Sequence, residues 1–535
     1  MTDKIEPTAL DRVVGFFSPK AGLERMQARA AYTAMQSGYQ SSQRRMPSSD
    51  ILSNYVPAGG SADADTLPDL PDLRSKARDL RRNSGLAGGA VTTIAQGTVG
   101  VGLTAQARPD RAFLGLTDQQ AEDWQRGTER EWRMFCAECD ITGDQHFHDL
   151  TGLIETAVLE SGDCYVIRRY VDGFGPYATK LQVIEADRVR NPRGLRETDR
   201  VAAGVRLDRN GRAVRIFVDP HHPGDLFYLR GARRAEPRGV SIRDRSGELQ
   251  VLHQWNKLRP GQRRGVPILA PVIALIKNLA DYSDAEVTAA VVASLFTVFV
   301  QTETPEDASN LLSPAKPTLR QSGDNNPYAL GKGRVNRLAP GEEVTTPMPG
   351  RPNRAFQEFV KAITREIGVA LNLPYEVLIK HFDASYSASR AALEMAWEHY
   401  RIRRATRIRQ FCNPVYSWFM DEAVATGRVR APGYFNDPAI RAAWLGVEWI
   451  GPSRISLDPL KEAKADELNI AMGVETRSSV TAKRTGSDWQ DNIEQQGRER
   501  RAAETAGVPL HSLSHPPAVS DPAEPTDPDE DEDDD

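Results

Sequence analysis

Four side chains that could bind a metal ion lie close together in the first third of the chain. Cys136 and Cys139 form a Cys-x-x-Cys pattern, and His146 and His148 follow within a few residues. Structural zinc sites often combine such a cysteine turn with a downstream pair of histidines. However, the cysteines end an amphipathic helical pattern, where they would pack as small apolar side chains, and the histidine spacing is shorter than usual. We therefore predict packing, with no metal and no cofactor.

Other patterns associated with catalysis are weak. Ser313 and Lys316 have the spacing of a serine-lysine acyl enzyme, but they lie in a proline-rich stretch that would position neither group. Gly97, Gly100 and Gly102 lack the Lys-Ser or Lys-Thr pair of a phosphate-binding loop, and the helical pattern precedes them. The sequence contains no Gly-x-Ser-x-Gly or His-Glu-x-x-His motif. We predict that the protein is not an enzyme.

A group of five arginines resembles a nucleic-acid-binding face. Their distribution does not support that function, because at 3.6 residues per turn they are spread around the helix. A helix that reads a DNA groove would collect its basic groups on one side. We expect instead that several of them pair with carboxylates of neighbouring elements or subunits. The arginines are Arg401, Arg403, Arg404, Arg407 and Arg409.

The charge of the chain is unevenly distributed. The 535 residues include 68 basic and 73 acidic side chains, which gives a net charge of -5, but residues 521–535 contribute ten acidic groups and no basic one. Without them the balance is 68 against 63, or +5. Four cysteines in a chain of this length do not indicate a disulfide framework. No signal peptide is visible at the start, and the uncharged run at 287–300 is shorter than the roughly 20 residues of a spanning helix.

Helices and an antiparallel sheet are predicted in the first half of the chain. Apolar periodicity indicates helices at 21–35, 73–97, 117–139 and 146–160, and alternation indicates strands at 164–170, 179–184, 201–207, 214–218 and 249–255. Asp-Gly, Asn-Gly and Ser-Gly pairs between the strands favour antiparallel hairpins. Residues 73–265 are therefore predicted to form one α+β domain, preceded by an arm and a polar linker.

Two long helices are predicted to support a small lobe in the second half. Residues 267–296 and 353–372 have helical patterns, and the stretch between them is rich in loops with short β segments. Pro374 ends the second helix, and a polar loop with small hydroxyl residues leads to a further helix that begins near Ser387. Pro414 is expected to bend or end that helix. A last helical pair is expected at 459–472 and 488–506, and residues after 508 have a disordered composition.

The order of these parts, together with several short motifs, resembles the lambda family of portal proteins of tailed bacteriophages. The likeness covers nearly the whole chain up to about residue 507. It rests on the order and spacing of the motifs rather than on any single one. The motifs are Phe17-Ser-Pro, residues 74–83 leading into an apolar helix, Gly265-Val-Pro-Ile-Leu-Ala-Pro, Leu373-Pro-Tyr-Glu-Val-Leu, residues 385–393, Trp449-Ile-Gly-Pro, residues 458–462 and Gly486-Ser-Asp-Trp.

The resemblance implies an architecture for each part of the chain. It implies an α+β portal-type subunit with an α+β wing, two stem helices, a small α/β clip and a helical crown. The implied boundaries are an N-terminal arm and linker at 1–72, the wing at 73–265, stem helices at 266–296 and 351–373, the clip at 297–350, a channel loop at 374–389, the long helix and wing or crown helices at 390–507, and a disordered acidic tail at 508–535.

The resemblance also implies a function and a set of partners. The chain would form a ring, usually a dodecamer, at the portal vertex of the capsid, through which double-stranded DNA is packaged and ejected. The partners would be the large terminase, the major capsid protein and head–tail adaptor proteins, with no membrane. The location would be the virion, and the host cytoplasm during assembly. The alternative is a head–tail adaptor or minor capsid protein that is not a portal.

The channel loop supplies the candidate site residues. DNA must slide through a channel, so each subunit should contact phosphates only weakly, because tight contacts multiplied around a ring would stop the movement. A nearly neutral body with a few basic groups on a loop meets this requirement. We predict that Lys380, His381 and Arg390 lie near the lumen and help to hold DNA.

Overall fold

The computed structural model describes most of the chain between residues 59 and 507. The described residues are 59–173, 175–192, 195, 197–225, 236–294, 297–300, 334–337, 356–382, 385–453 and 458–507. The helix predicted at 21–35, most of the predicted clip and the acidic tail lie outside them. The chain divides into two units between Asp65 and Thr66. Helix α1 begins in the first unit, and the other described elements belong to the second.

The described chain is mainly helical, with short strands in its middle third. The helices of the first half are α1 (Ala62–Thr66), α2 (Leu70–Asn83), α3 (Gly85–Val99), α4 (Arg111–Leu114), α5 (Asp118–Glu138) and α6 (Phe147–Ser161). The strands are β1 (Thr104–Ala107), β2 (Asp163–Tyr170), β3 (Thr179–Glu185), β4 (Val201–Ala202), β5 (Val205–Leu207), β6 (Ala213–Val218), β7 (Arg238–Ser241) and β8 (Val251–Trp255).

The second half continues with longer helices. They are α7 (Ile273–Ser294), α8 (Phe356–Leu371), α9 (Tyr375–Ile379), α10 (Tyr386–Arg407), α11 (Asn413–Ala425), α12 (Pro438–Trp444), α13 (Pro459–Ala471), α14 (Arg477–Thr485) and α15 (Trp489–Ala506). The strands are β9 (Thr297–Val300), β10 (Arg334–Arg337) and β11 (Val447–Ile450). Short 3₁₀ turns occupy Ala186–Arg188 and Ala270–Val272, and a π-helical segment occupies Ile408–Cys412.

The single helix predicted at 73–97 is two helices. Ser84 has an extended backbone between them, and its side chain accepts a hydrogen bond from the amide of Ala87 at 3.3 Å. A serine is a strong N-cap because its hydroxyl satisfies an amide that has no partner within the helix. The break lets the backbone of α3 approach α2 closely, since a Cβ added at Gly88 would lie 2.7 Å from the carbonyl oxygen of Arg81.

The predicted antiparallel strands form two separate sheets. One has the order β3-β2-β8 and the other the order β4-β5-β6-β7, with antiparallel pairing throughout. The strand predicted at 201–207 is instead a tight hairpin, because Ala203 and Gly204 have φ angles of 48° and 80°. Positive φ at two successive positions reverses the chain. The apolar faces of the two sheets share a core that includes Tyr165, Ile216 and Val251.

Residues from the C-terminal half complete the largest core. Strand β1 pairs with β11 in antiparallel register, from Thr104 opposite Ile450 to Ala107 opposite Val447. Trp132 of α5 lies at the centre, with its ring 5.0–5.8 Å from the rings of four aromatic residues in edge-on geometry: Phe147, Tyr416, Phe419 and Trp449. Contacts of this type add to the free energy of burying the rings. The core of the α+β region therefore extends well beyond residue 265.

The two long helices predicted as stems pack against each other. Tyr282 of α7 contacts the rings of Phe356 and Phe359 of α8, with centroids 5.5 Å and 5.1 Å apart. After α7, strand β9 pairs in parallel with β10, from Thr297 opposite Arg334 to Val300 opposite Arg337. Both of the short β segments predicted between the helices are therefore present.

The long helix does not end at Pro414. Its α-helical part stops at Arg407, the π-helical segment follows, and α11 then begins at Asn413. Pro414 occupies the first turn of α11, where its missing N–H is tolerated. The carbonyl of Gln410, four residues earlier, accepts a hydrogen bond from the side chain of Gln254 at 2.8 Å. Of the two outcomes predicted for Pro414, a bend or an end, the end does not occur, and the helical geometry changes to π-helical just before the proline.

After α11 the described residues contain two helices that were not predicted, α12 and α14. Helices α13 and α15 lie where the last helical pair was expected, but α14 lies between them. Thr476 forms a capping box with Ser479, and Gly486 ends α14 in a left-handed conformation. The chain's threonine, serine and glycine at these positions are ordinary start and stop signals. Within the described residues, no helix has the length and apolar content needed to cross a membrane.

Candidate functional site

The segment that carries Lys380 and His381 is held by two left-handed backbone turns. Asn372 and Lys380 have φ angles of 53° and 57°, and they follow the last residues of α8 and α9. At the first turn the amide of Leu373 donates to the carbonyl of Gly368 at 2.9 Å. At the second the amide of His381 donates to the carbonyl of Glu376 at 3.0 Å. These 6→1 hydrogen bonds satisfy carbonyls at the helix ends, so the base of the loop has a defined conformation.

All three candidate residues are exposed to solvent. Lys380 and His381 are consecutive at the end of α9, whereas Arg390 lies in the second turn of α10. Ser385 begins α10 as its N-cap, with its hydroxyl accepting from the amide of Ala388 at 3.5 Å. Residues 383–384 of the predicted loop lie outside the described chain. The structure thus places the three groups on two elements that flank one loop.

The support beneath this loop is an apolar cluster. It combines buried residues of seven helices and the 3₁₀ turn before α7, including Ile94, Val272, Ile367, Leu378 and Tyr400. The elements predicted as the two stems, the loop and the long helix therefore share one core. The cluster fixes the ends of the loop, so the exposed charged side chains of the loop do not have to pack against the core themselves.

Two further basic side chains lie near the loop and were not among the sequence candidates. Lys361 and Arg365 of α8 lie over the ring of Tyr375, 5.6 Å and 5.5 Å from its centroid. Their spacing of four residues places them on one helix face, which was visible in the sequence. The aromatic partner was not, because Tyr375 belongs to the next element. Cation–π contacts of this kind are worth about 0.5–1 kcal/mol at exposed sites.

A buried carboxylate joins the start of β2 to the segment that leads into α7. Asp163 is fully buried and accepts hydrogen bonds from Arg74 at 2.7 Å, from Arg264 at 2.7 Å and from the amide of Gly265 at 3.1 Å, and it contacts His253 at 3.1 Å. Burial alone would raise the pKa of Asp163. The charges of the two arginines outweigh it and hold that pKa well below its usual value.

Two glycine backbones cross next to Asp163. A Cβ added at Gly265 would lie 1.9 Å from the carbonyl oxygen of Gly162, and one added at Gly162 would lie 2.4 Å from the carbonyl of Gly265. Gly162 also has a φ angle of 87°, which side chains rarely adopt. Only glycine at both positions allows this approach. The motif at Gly265 therefore marks a backbone crossing between the sheet region and the segment before α7.

A second buried carboxylate connects the long helix to α6. Glu155 is fully buried and accepts from Arg403 at 2.7–2.8 Å and from Arg407 at 2.8–3.0 Å. Arg407 also donates to Gln254 at 2.5 Å. Burial favours the neutral acid, but the two guanidinium groups lower the pKa of Glu155 below its usual range. The prediction that arginines of this helix pair with carboxylates of neighbouring elements is confirmed for these two.

The other arginines of the helix have different partners. Arg404 donates to the carbonyls of Gly97 and Thr98, at 3.1 Å and 2.9 Å, and lies over the ring of Trp397 at 4.8 Å. It thus binds the C-terminal end of α3, where a helix carries a partial negative charge. Arg401 pairs with Glu398 of its own helix, 2.9 Å away, and both are exposed. The five arginines do not form one basic face.

Cys136, His146 and His148 line one pocket, with the two histidine rings 4.6 Å apart. Cys136 and Cys139 are both buried, and burial raises the pKa of Cys139 to about 12. His146 caps α6 by accepting from the amide of His148 at 3.2 Å, so its ring nitrogen is engaged. Within the described residues no group of three or more His, Cys, Asp or Glu side chains is arranged to hold a metal ion.

A family model and two relatives of this chain are all portal proteins. The model of the lambda family of phage portal proteins matches residues 48–404. The chain is 26% identical over 485 residues to the portal protein of Escherichia phage N15, covering 85% of this chain and 89% of that protein. It is 24% identical over 479 residues to portal protein B of Escherichia phage lambda, covering 85% and 88%.

A solved structure of a gene transfer agent virion contains a chain that resembles this one with a TM-score of 0.41 at 15% identity, over 77% of this chain and 92% of that chain. The family match alone covers residues 48–404, well over half of the 535 residues. The chain therefore belongs to the lambda family of phage portal proteins.

Proposed function

We propose that this protein forms the ring at the portal vertex of a phage capsid, through which double-stranded DNA enters and leaves the head. The family match over residues 48–404 is the observation that carries this proposal. The relatives from phages N15 and lambda are both named portal proteins and are covered almost completely. The role is structural, without catalysis, and the protein is located in the virion after assembly in the host cytoplasm.

The parts of the chain take the following roles in this proposal. Residues 73–265 form most of the wing, α7 and α8 are the stem helices, and residues 297–350 are the clip that meets the large terminase and later the head–tail adaptors. The major capsid protein surrounds the ring. The ring is a homo-oligomer, most commonly a dodecamer in this family. The packing of Tyr282 between Phe356 and Phe359 supports the pairing of the two stem helices.

DNA contact is assigned to the loop between α9 and α10. Lys380, His381 and Arg390 are exposed on a base of fixed conformation, and Lys361 and Arg365 lie near its start. Contacts with phosphate carry no sequence information, as passage of a whole genome requires. Because each copy contributes only a few charges, the sum around the ring can retain DNA without arresting it.

Electron microscopy of the purified protein tests the ring directly. We expect rings with an axial hole. A compact monomer at all concentrations would reject the portal function, and a particle that binds adaptor proteins but has no hole would favour a head–tail adaptor.

The loop is tested by replacing its three candidate side chains together, as K380A/H381A/R390A. We expect DNA retention in filled heads to fall several-fold because phosphate contacts are lost around the whole ring. K380A/H381A, which leaves Arg390 in place, should form rings of normal appearance. R401A is the matched control, because it removes an exposed positive charge that pairs with Glu398 of the same helix. This variant should retain DNA normally. Unchanged packaging and retention in the triple variant would remove these residues from the site.

A further inference from the structure

Helix α13 exposes its apolar side chains to solvent. Leu460, Leu468 and Met472 are 61%, 61% and 68% exposed, and Val474 just beyond the helix is 70% exposed. At 100° per residue the three helix residues fall within about 120° of one another, on a single face. We call these four residues the α13 ridge.

The inner side of α13 is mostly polar, with Ile470 as its half-buried apolar residue. Glu462, Asp466 and Asn469 are half-buried against the rest of the chain, and they lie on roughly the opposite side of the helix from the α13 ridge. Asp466 forms an ion pair with Arg484 of α14. A surface helix of an isolated protein normally has the reverse orientation, with its apolar stripe facing the core. The orientation of α13 indicates that another surface covers the ridge.

An apolar groove lies on the other side of α13. Its walls come from α3, α9, α10 and the segment after β11, and its volume is about 300 Å³. The apolar lining residues are Val377, Leu393, Ala396, Trp397, Tyr400 and Pro452. Tyr400 is only 7% exposed, yet its hydroxyl has no hydrogen-bond partner. A buried hydroxyl of this kind costs free energy unless something supplies a partner.

The charges around the two surfaces are complementary. Glu394 and Glu462 lie at the edge of the groove, together with Arg390. Lys461 and Lys464 lie on the exposed side of α13, where Lys464 falls between Leu460 and Leu468 at helical spacing. Glu467 is also exposed on this side, and Lys461 pairs with Asp458 at 3.3 Å. The ridge side therefore carries two lysines and one carboxylate, and the groove edge carries two carboxylates and one arginine.

We propose that the α13 ridge of one copy of this chain docks into the groove of the next copy in the ring. The inference rests on the proposed ring. Because Glu462 on the inner side of α13 lines the groove, the outer side of that helix cannot enter the groove of its own chain. Two different surfaces that fit each other generate a closed ring when repeated by rotation.

Cross-linking between two single-cysteine variants tests the contact. Leu468→Cys and Leu393→Cys chains are mixed, assembled and treated with a short bismaleimide; the four native cysteines are buried. We expect a covalent dimer in the mixture and none with either variant alone. Leu258→Cys, which replaces an equally exposed leucine outside both surfaces, is the matched partner for Leu393→Cys and should give no dimer.

Charge substitution on the ridge gives a second measurement. L468E/M472E should raise the protein concentration needed for ring assembly at least tenfold. The unfolding temperature of the single subunit should not change. L258E should assemble normally. If wild-type rings form but the ridge variant assembles normally and no dimer is trapped, the proposed contact is wrong and the ring stands. If the wild-type chain forms no ring, the portal function and this contact both fail.

Discussion

Asp163 remains ionised in the interior because Arg74 and Arg264 surround its carboxylate. Its pKa is lowered in the folded state, so the ionised group stabilises the fold above its ordinary pKa near 3.8. That contribution is lost only as the pH falls through the lower folded value. A buried ion pair is costly to break, since the remaining partners stay buried without compensation.

Asp163→Asn tests this arrangement. Removing the negative charge leaves the buried Arg264 without a counter-charge and Arg74 with only Asp187, 3.4 Å away, and we expect a loss of about 3–5 kcal/mol in the free energy of unfolding. The measurement is thermal or denaturant unfolding at neutral pH. Asp72→Asn is the control, because Asp72 pairs with Lys76 on the surface with both side chains more than half exposed; it should cost less than about 1 kcal/mol. Equal effects would contradict the interpretation.

Glu129 gives the fold a pH dependence of the opposite sign. Burial and the nearby Asp488 raise its pKa to about 7 from 4.5, against hydrogen bonds from the amide of Ala107 and from Gln125. Between those two values the folded state holds a proton that the unfolded state has released, so stability falls as the pH rises through this window. The shift corresponds to about 2–3 kcal/mol, taken as 1.36 kcal/mol per unit with allowance for partial exposure.

The comparison that checks it is wild type against Glu129→Gln from pH 5 to pH 8. We expect the unfolding temperature of the wild type to fall relative to the variant as the pH increases. Subtracting the profile of the variant from that of the wild type removes the contribution of other titrating groups. One of these is His148, whose pKa is lowered by burial and by His146. Parallel pH profiles for the two proteins would show that Glu129 titrates normally.

At the scale of elements, the crossing of Gly162 and Gly265 fixes where the sheet region meets the segment before α7. Gly265→Ala should destabilise the fold by more than about 2 kcal/mol, because the added methyl would overlap a carbonyl that cannot move freely. Gly152→Ala is the matched control. Gly152 lies within α6 with open space around its Cα, so the same change should stabilise by roughly 0.5–1 kcal/mol. A stabilising Gly265→Ala would refute the close approach.

Local patterns predicted most elements, and the errors have local causes. The helices at 117–139 and 146–160 were predicted within two residues of α5 and α6, because their apolar periodicity is strong. The helix at 73–97 was predicted as continuous, since its periodicity continues across Ser84 and conceals the cap. The strand at 201–207 has alternation that also suits a hairpin, and Ala203 is an unusual residue for a left-handed turn.

The sequence predicted less of the candidate site than of the fold. Lys380 and His381 stand out as polar residues after a proline-defined turn, and the structure shows them exposed. The contacts that hold their support could not be predicted, because Glu155 and Arg407 are 252 residues apart in the chain. Nor did the sequence show that the groove beside α10 has a tyrosine hydroxyl without a partner. Both depend on which distant elements become neighbours.

For the whole molecule, the uneven charge distribution predicts how the protein behaves towards DNA outside a capsid. Deleting residues 516–535 removes ten acidic groups and changes the formal net charge from -5 to +5. We expect stronger non-specific binding to double-stranded DNA at low salt, because net charge governs such association. Fluorescence anisotropy at about 50 mM and 200 mM salt checks this, and the difference should shrink at the higher concentration.

The unfolding temperature of the shortened chain serves as the control and should equal that of the full chain. If the deletion leaves DNA affinity unchanged at low salt, the acidic residues do not oppose binding. The charge-neutral comparison is replacement of the ten acidic residues by Asn and Gln. That variant should bind DNA as the deletion does.

Pro414 has a consequence for how sequences of this kind can diverge. Its missing N–H leaves the carbonyl of Gln410 for Gln254, and the side chain of Gln410 in turn donates to the carbonyl of Trp255 at 3.0 Å. The helix near Pro414 is thus hydrogen-bonded to strand β8, whose Gln254 lies 156 residues from Gln410 in the chain. Substituting Pro414 would restore an internal helix bond and compete with Gln254 for its acceptor. We expect positions 414 and 254 to change together among relatives.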